Sequence, residues 1–365
     1  MKVFHLISGG DAGGAKTHVL SLLRELNRTA ETPLLTLGDG PLAREAREMH
    51  LPCRVLRGGF AACLMQLGRI AAEESADLLH CHGARANLTG ALLRARLSLP
   101  VISTVHSDWQ LDYMGRPLAR MGYGTLNLAA LRKLDALVCV SEAMAARVRA
   151  RGFPRVYAIY NGVDFDLPRS APAFPGEDGT VTVAAAARFD PVKDLPTLVR
   201  GFAAAAERAD GLRLLLAGAG PEEPRLRALA RDSGRGDQIL FPGWVEDMEG
   251  FWASADIAVI SSLSETFPYT LTMAARYGIP AVSTPVGGVT ALLKDGVTGR
   301  LFPTGDADAL ADVLTELAAD PRARRAMGAE LARRGAESFS LSAMGRRQRA
   351  IYEAVLAGKT EDAVL

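Results

Sequence analysis

Short apolar runs alternate along this chain with longer stretches in which apolar residues recur every three or four positions. Residues 3–7 (VFHLI), 32–37 (TPLLTL), 76–82 (ADLLHCH), 100–106 (PVISTVH), 136–141 (ALVCVS) and 156–161 (VYAIYN) are short and nearly continuous in apolar character, and they read as strands. Between them lie patterns such as THVLSLLRELNR, with helical spacing. That alternation is the rhythm of a parallel sheet wrapped by helices. At 166–179 the stretch DLPRSAPAFPGEDG has no apolar period and is rich in Pro, Gly and acids, which marks a linker. A second series of strands follows at 180–188, 212–218, 239–243, 255–262 and 280–284. The pattern therefore predicts an α/β fold of two Rossmann-like domains facing each other across a cleft, residues 1–168 and 169–340. The helical pattern SLSAMGRRQRAIYEAVLAG opens a final segment, 341–365, expected to pack back toward the first domain.

Bulk properties agree with two globular domains. At 365 residues the chain is too long for one hydrophobic core, and 48% apolar with 23% charged residues is ordinary for folded protein. The net charge of +1 gives no drive toward nucleic acid, although residues 1–168 carry +5 and the remainder −4. A basic first half suits an anionic ligand or lipid surface, but a difference this small is more often just a solvated face. The four cysteines show no C-x-x-C pairing and are expected to be reduced thiols in a cytoplasmic setting. The opening MKVFHLISGG is too short in apolar character for a signal peptide, and no segment reaches the length of a membrane span. A soluble or peripherally attached protein is expected.

Candidate chemistry collects at the ends of the predicted strands. Gly9, Gly10, Gly13 and Gly14 lie between the first strand and the first helix, where bare backbone can approach a phosphate, or where a tight turn is needed; neither a G-x-G-x-x-G nor a Walker register is present. Arg188 closes the first strand of the second domain and Lys193 follows in ARFDPVKD, two cations suited to a diphosphate at a strand's carboxyl end, or solvated ahead of a helix. His80 and His82 share one face of a strand, and His106 ends another. A zinc site with Cys81 or His106 lacks a visible fourth ligand, and a buried, hydrogen-bonded histidine is the better reading for one of the pair. Asp306 in DAD is read as a helix N-cap rather than a metal ligand. Glu265, alone in SETFPYTLTMAARYGIP, stands between an apolar run and a helical pattern.

In order and spacing, GGAKTHV, LLHCHGARAN, STVHSDW, VCVSEAM, YNGVD, ARFDPVKD, LLLAGAGP, FPGWVED, SETFP with YGIPAVSTPVGG, and the closing helix with its IYE resemble the nucleotide-sugar-dependent glycosyltransferases of family 4, over nearly the whole chain. The resemblance implies the GT-B architecture and a retaining, metal-independent transfer, with no cofactor, from a nucleotide sugar such as a UDP- or GDP-sugar to a glycan or lipid-linked acceptor in cell-surface polysaccharide assembly. It implies a donor-binding second domain and an acceptor-binding first domain that often touches the membrane. By position, Arg188 and Lys193 are implied to bind the diphosphate and stabilise its developing charge. Gly13 and Gly14 close over the phosphates, His106 contacts the donor sugar, and Glu265 holds the sugar hydroxyls. Backbone at Thr266, Phe267 and Pro268 completes the pocket, with Trp244 and Val245 near the base.

Two positions depart from the family's pattern. Where a second Glu grips the ribose, this chain has Met273, a very poor acceptor, and where a further Glu often follows the Gly-Gly, it has Ala291. Thr272 or Thr290 is a candidate neutral substitute. The departures keep open a weak or inactive member that supports an active partner, and, less favoured, a GT-B epimerase. The basic, apolar stretch 116–134 suits a peripheral contact with anionic lipid, or a core helix with one solvated face.

Overall fold

The computed structural model describes residues 1–10, 13–106, 124–177 and 179–359. These divide into two compact units, the first formed by residues 1–162 with the segment from 341 onward, the second by Val163–Ser340.

Unit 1 is built on a seven-stranded sheet of β1 (Val3–Ile7), β2 (Leu34–Leu37), β3 (Cys53–Leu56), β4 (Leu78–His82), β5 (Val101–Val105), β6 (Ala136–Cys139) and β7 (Val156–Ala158), in the order β3-β2-β1-β4-β5-β6-β7. Every strand pair is parallel. The helix Leu341–Leu356 belongs to this unit: Leu341, Met344, Ile351 and Tyr352 share one core with Val3, Leu22, Leu26 and Leu78. Beyond it, the Tyr157 hydroxyl donates to the Lys359 carbonyl at 3.1 Å.

Unit 2 repeats the plan with β8 (Val181–Ala186), β9 (Leu212–Ala217), β10 (Ile239–Gly243), β11 (Ile257–Ile260), β12 (Ala281–Ser283) and β13 (Gly299–Leu301), in the order β10-β9-β8-β11-β12-β13. In each sheet the strand order reverses beside the first strand of the unit, between β1 and β4 and between β8 and β11. Open α/β sheets bind ligands outside the carboxyl ends of strands at such switch points.

The boundary falls at 162/163 rather than at 168. Val163 bridges Ser340, and the Arg276 guanidinium donates to the carbonyls of Asp164, Leu167 and Pro168, so unit 2 holds the segment that sequence composition assigned to the first domain. Strands β3 and β13, absent from the sequence reading, are edge strands. Ser107–Trp109 of the family motif and residues 116–123 of the proposed lipid-contacting stretch lie outside the described residues. Its remainder includes the helix Thr125–Leu131, which buries Ala130 and Leu131 and exposes Leu126. Among the described residues no helix is long and apolar enough to cross a membrane.

Candidate functional site

In unit 1, the first crossover leaves β1 through glycines. Gly13 has φ +71, the left-handed region that favours glycine, and open space lies where its Cβ would be. Gly14 then starts the helix Gly14–Leu26, and its first turn exposes backbone donors at the switch point. Lys16 is not free for a ligand's phosphate, because its ammonium pairs with Glu45.

The histidines are organised by strand register. His5 lies beside His80 across β1 and β4, and one row on His82 lies beside Thr104 across β4 and β5. Because alternate residues share a face, His5, His80, His82 and Thr104 all project to one side of the sheet. There they join a continuous set of hydrogen bonds. Thr104 Oγ1 lies 2.7 Å from His80 Nε2, and His80 Nδ1 2.8 Å from the Tyr352 hydroxyl. That hydroxyl is 3.0 Å from His5 Nε2, His5 Nδ1 is 3.1 Å from His82 Nε2, and His82 Nδ1 is 3.2 Å from His106 Nε2. Both members of the His80 and His82 pair are buried, not one. His18, also buried, bonds Asn161 Oδ1 through Nδ1 at 2.9 Å and packs edge-on against His106, with ring centroids 4.9 Å apart; its Nε2 has no partner.

Burial disfavours the charged form of all these rings. It lowers His5 to about 3 and His18 to about 4, and holds His80, His82 and His106 well below the usual histidine range. Tyr352 is pushed well above the usual phenol range by the same cause. The cluster is neutral at pH 7. Ligand nitrogens of His5, His80 and His82 lie within 4.8 Å of one another, yet every ring nitrogen of the three already has a hydrogen-bond partner, so a metal would have to displace those bonds. Cys81 faces the other side of the strand, where a Cβ on Gly90 would lie 2.5 Å from its sulfur.

In unit 2, β8 and β11 end side by side and place three functional groups together. Lys193 sits in the short 3-10 turn Pro191–Lys193, fixed by Ser261 Oγ donating to its carbonyl at 2.9 Å. Its ammonium reaches Glu265 Oε1 at 2.6 Å, and Ser262 Oγ donates to the same oxygen at 2.6 Å. Glu265 is thus neither a cap nor an isolated acid: Oε1 is engaged, while Oε2 receives no hydrogen bond among the described residues. The Glu265 side chain is only 10% exposed and the Lys193 side chain 21%. Arg188 lies two residues beyond the end of β8 rather than closing it; it is 72% exposed and pairs with Asp190 at 3.0 Å.

The wall of this site is backbone. Phe267 turns into the core and stacks on Phe339 with centroids 5.2 Å apart, Gly288 N–H donates to the Thr266 carbonyl at 2.8 Å, and Pro268 precedes the helix Tyr269–Tyr277. Met273 is half-buried on that helix. Thr272 cannot stand in for the missing carboxylate, since it is fully buried and its hydroxyl donates to the Tyr269 carbonyl at 2.9 Å. Thr290 is exposed, Val245 half-buried, and Trp244 projects with 70% of its surface exposed. Asp306 caps the helix Ala307–Ala319 by accepting from Ala309 N–H, as the sequence pattern indicates.

Gly287 ties the two halves of the site. Its φ is +56, and a Cβ there would lie 1.7 Å from the Glu265 carbonyl oxygen. Gly287→Ala is expected to destabilise unit 2 by more than the ~1–2 kcal/mol of left-handed strain alone, because the Glu265 backbone must move. A thermal-unfolding midpoint equal to that of the parent protein would contradict this.

Sequence reasoning missed His5, His18, Tyr352 and Ser262. A histidine inside the otherwise apolar VFHLI, and the Tyr of IYE, were the available signals.

Comparison with known proteins agrees with both units. The family model described as Glycosyltransferase Family 4 matches residues 12–167, and that described as Glycosyl transferases group 1 matches residues 180–320. The lipopolysaccharide core biosynthesis glycosyltransferase LpsE of Rhizobium meliloti is 28% identical over 359 residues, 93% of this chain and 94% of its own. The N-acetyl-alpha-D-glucosaminyl L-malate synthase of Bacillus anthracis is 24% identical over 306 residues, 81% of this chain and 79% of its own. Among solved structures, Anabaena HepE in complex with UDP matches with a TM-score of 0.83 at 18% identity, over 97% of this chain and all 100% of that one. Sucrose-phosphate synthase from Thermosynechococcus elongatus matches with a TM-score of 0.82 at 21% identity, over 98% and 100%. The fold is GT-B.

Proposed function

Because the chain belongs to the family 4 glycosyltransferases, we propose that it is a retaining, metal-independent hexosyltransferase that moves a sugar from a nucleoside diphosphate to a glycan or lipid-linked acceptor. One observation carries the donor half of this reading: Lys193 Nζ and Ser262 Oγ converge on Glu265 Oε1 at the switch point of unit 2, each at 2.6 Å. A diphosphate there meets a fixed ammonium, and the free Oε2 of Glu265 accepts from sugar hydroxyls. The cation stabilises the charge that grows on the leaving phosphate, which is the electrostatic task a divalent ion performs elsewhere. Arg188, exposed and paired with Asp190, adds its guanidinium to the same diphosphate, and backbone at Thr266, Phe267 and Pro268 encloses it.

Unit 2 is then the donor-binding unit, with Val245 near the base, and unit 1 the acceptor-binding unit. In unit 1, Gly13 and Gly14 offer backbone donors to phosphate, and His106 contacts the transferred sugar. The HepE structures in complex with UDP and with UDP-glucose favour a uridine donor. The LpsE likeness favours surface-polysaccharide assembly. A place in the cytoplasm, at the inner face of the membrane, is part of the same proposal.

Calorimetric titration with UDP, GDP and ADP tests the donor site. One nucleotide is expected to bind, and Arg188→Ala to weaken it by about tenfold to a hundredfold, the value of a charged hydrogen bond. Met273→Glu is expected to tighten binding by about tenfold by restoring an acceptor for the ribose. Met273 also favours a second reading, a supporting subunit with weak or no activity of its own. Silence of the parent protein and of Met273→Glu toward every nucleotide would sink the enzymatic reading and leave that one.

A further inference from the structure

We propose that the outer face of three helices of unit 1, Phe60–Glu73, Ala84–Arg94 and Thr125–Leu131, is a docking surface for an anionic lipid bilayer. This surface extends the membrane-side placing given above, on which it rests, because two of the three helices lie outside the stretch 116–134 that composition singles out.

The three helices form one layer. Leu64 of the first and Leu93 of the second share a core with Val101 of β5, and Leu131 of the third packs in a core with Val105 of the same strand. Val101 and Val105 project to one side of the sheet, since alternate residues of a strand share a face. Neighbouring helices touch: a Cβ on Gly68 would lie 3.2 Å from Leu93 Cδ1, and Asn87 Nδ2 donates to Asn127 Oδ1 at 2.9 Å. Their opposite sides are therefore turned away from the sheet together.

The charges on that layer are one-sided. In residues 57–106 and 124–135 the acids are Glu73, Glu74, Asp77 and Asp135. Each is already matched: Glu73 pairs with Arg69, Glu74 with Lys2 at 2.8 Å and Asp135 with Arg94 at 2.7 Å, and Asp77 accepts from the Lys2 N–H at 2.7 Å. Arg57, Arg85, Arg96, Arg132 and Lys133 are exposed and pair with no acid among the described residues. Each helix also shows solvent one large apolar side chain, Met65, Leu92 and Leu126, at 65%, 39% and 55% exposure. On the middle helix the order is plain. Arg85, Leu88, Leu92 and, just past the helix end, Arg96 recur at i, i+3, i+7 and i+11, so two apolar side chains lie between two cations on one stripe.

That arrangement selects the occupant. A second copy of the chain would set cations against cations. The centre of a protein–protein interface is depleted in charge, whereas here guanidinium groups bracket the apolar side chains. A bilayer surface takes both at once. The apolar side chains enter the acyl boundary, and the guanidinium and ammonium groups, on flexible apolar stems, reach the lipid phosphates.

The test is co-sedimentation of the full chain with vesicles of phosphatidylcholine alone and of phosphatidylcholine mixed with phosphatidylglycerol, which needs no nucleotide. Binding is expected to the mixed vesicles only, and to weaken as salt is raised. A cation at an anionic surface contributes about fivefold to partitioning, so Arg85→Gln with Arg96→Gln is expected to weaken binding by about 25-fold. Met65→Ser with Leu92→Ser, which leaves the charge unchanged, is expected to weaken it by about tenfold through lost apolar insertion. All four side chains are exposed, so both double variants are expected to keep the parent's thermal-unfolding midpoint. Equal binding to the neutral vesicles, or none to either kind, would overturn the docking surface and the membrane-side placing with it. Anionic binding that survives either double variant would overturn this face alone and leave that placing standing. A parent dimer that the Met65 and Leu92 substitutions split would give the face to a second copy and overturn the lipid assignment. None of these outcomes touches the donor site, whose own test is nucleotide binding.

Discussion

Lys193→Met is expected to lower kcat by about 10²–10³-fold, the loss that accompanies removal of one fixed group aimed at developing negative charge. Lys193 is suited to that task because the protein holds it still. Its carbonyl is pinned by Ser261, its ammonium by Glu265, and its side chain is mostly shielded from water. Arg188 is itself exposed and pairs with the half-buried Asp190, and its removal is expected to act on nucleotide affinity more than on turnover. Lys193→Met also strands the Glu265 carboxylate, which by the usual scale costs about 1–3 kcal/mol of stability. The double variant Lys193→Met, Glu265→Gln separates the two effects, since it is expected to recover thermal stability without recovering kcat. Parent-like turnover in Lys193→Met would remove the cation from the mechanism.

The second large effect is loss of stability in acid, confined to unit 1. All six histidines of the chain fall within residues 1–162, and His5, His18, His80 and His82 are buried in one cluster. Their folded-state pKa values are depressed by burial, to about 3 for His5 and about 4 for His18, with His80 and His82 also well below the ordinary value. In the unfolded chain each titrates near its ordinary ~6.5. Below that pH the unfolded state binds more protons than the folded one, so stability is complete above about pH 7 and falls as pH drops toward the folded values. Each buried ring contributes a slope of up to about 1.4 kcal/mol per pH unit, and four together are large against a typical domain stability of about 5–15 kcal/mol. Calorimetric unfolding between pH 7.5 and pH 5 is expected to show the unit 1 transition moving steeply down while that of unit 2, which has no histidine, stays nearly fixed. Parallel movement of both transitions would refute this.

Much of the architecture was legible because the apolar period is a local property. Strands β1, β4 and β8 were readable as nearly unbroken apolar runs, as strands covered on both faces must be. Two of the four edge strands, β3 and β13, were not. Cys53–Leu56 is only partly buried and carries Arg54, and Gly299–Leu301 is three residues long with Arg300 at its centre, so neither presents the signal of a buried strand. The boundary at 162/163 was missed for a different reason. Linker composition is visible in sequence, but the guanidinium of Arg276 gripping carbonyls 108 to 112 residues away is not.

For the site, the sequence by itself determined the residue types and their order: glycines after the first strand, ARFDPVKD after the eighth, SETFP after the eleventh, and Met273 in place of a carboxylate. Those are set by the chain and by its resemblance to a family. Tertiary structure alone decided the partners. It put Lys193 on Glu265, occupied Thr272, exposed Arg188, and drew His5, His80, His82 and Tyr352 into one hydrogen-bonded set. The physical reason is register. Which strands become neighbours, and which residues then share a row, depends on how parallel strands are ordered through crossovers, and hydrophobic periodicity carries no information about that order.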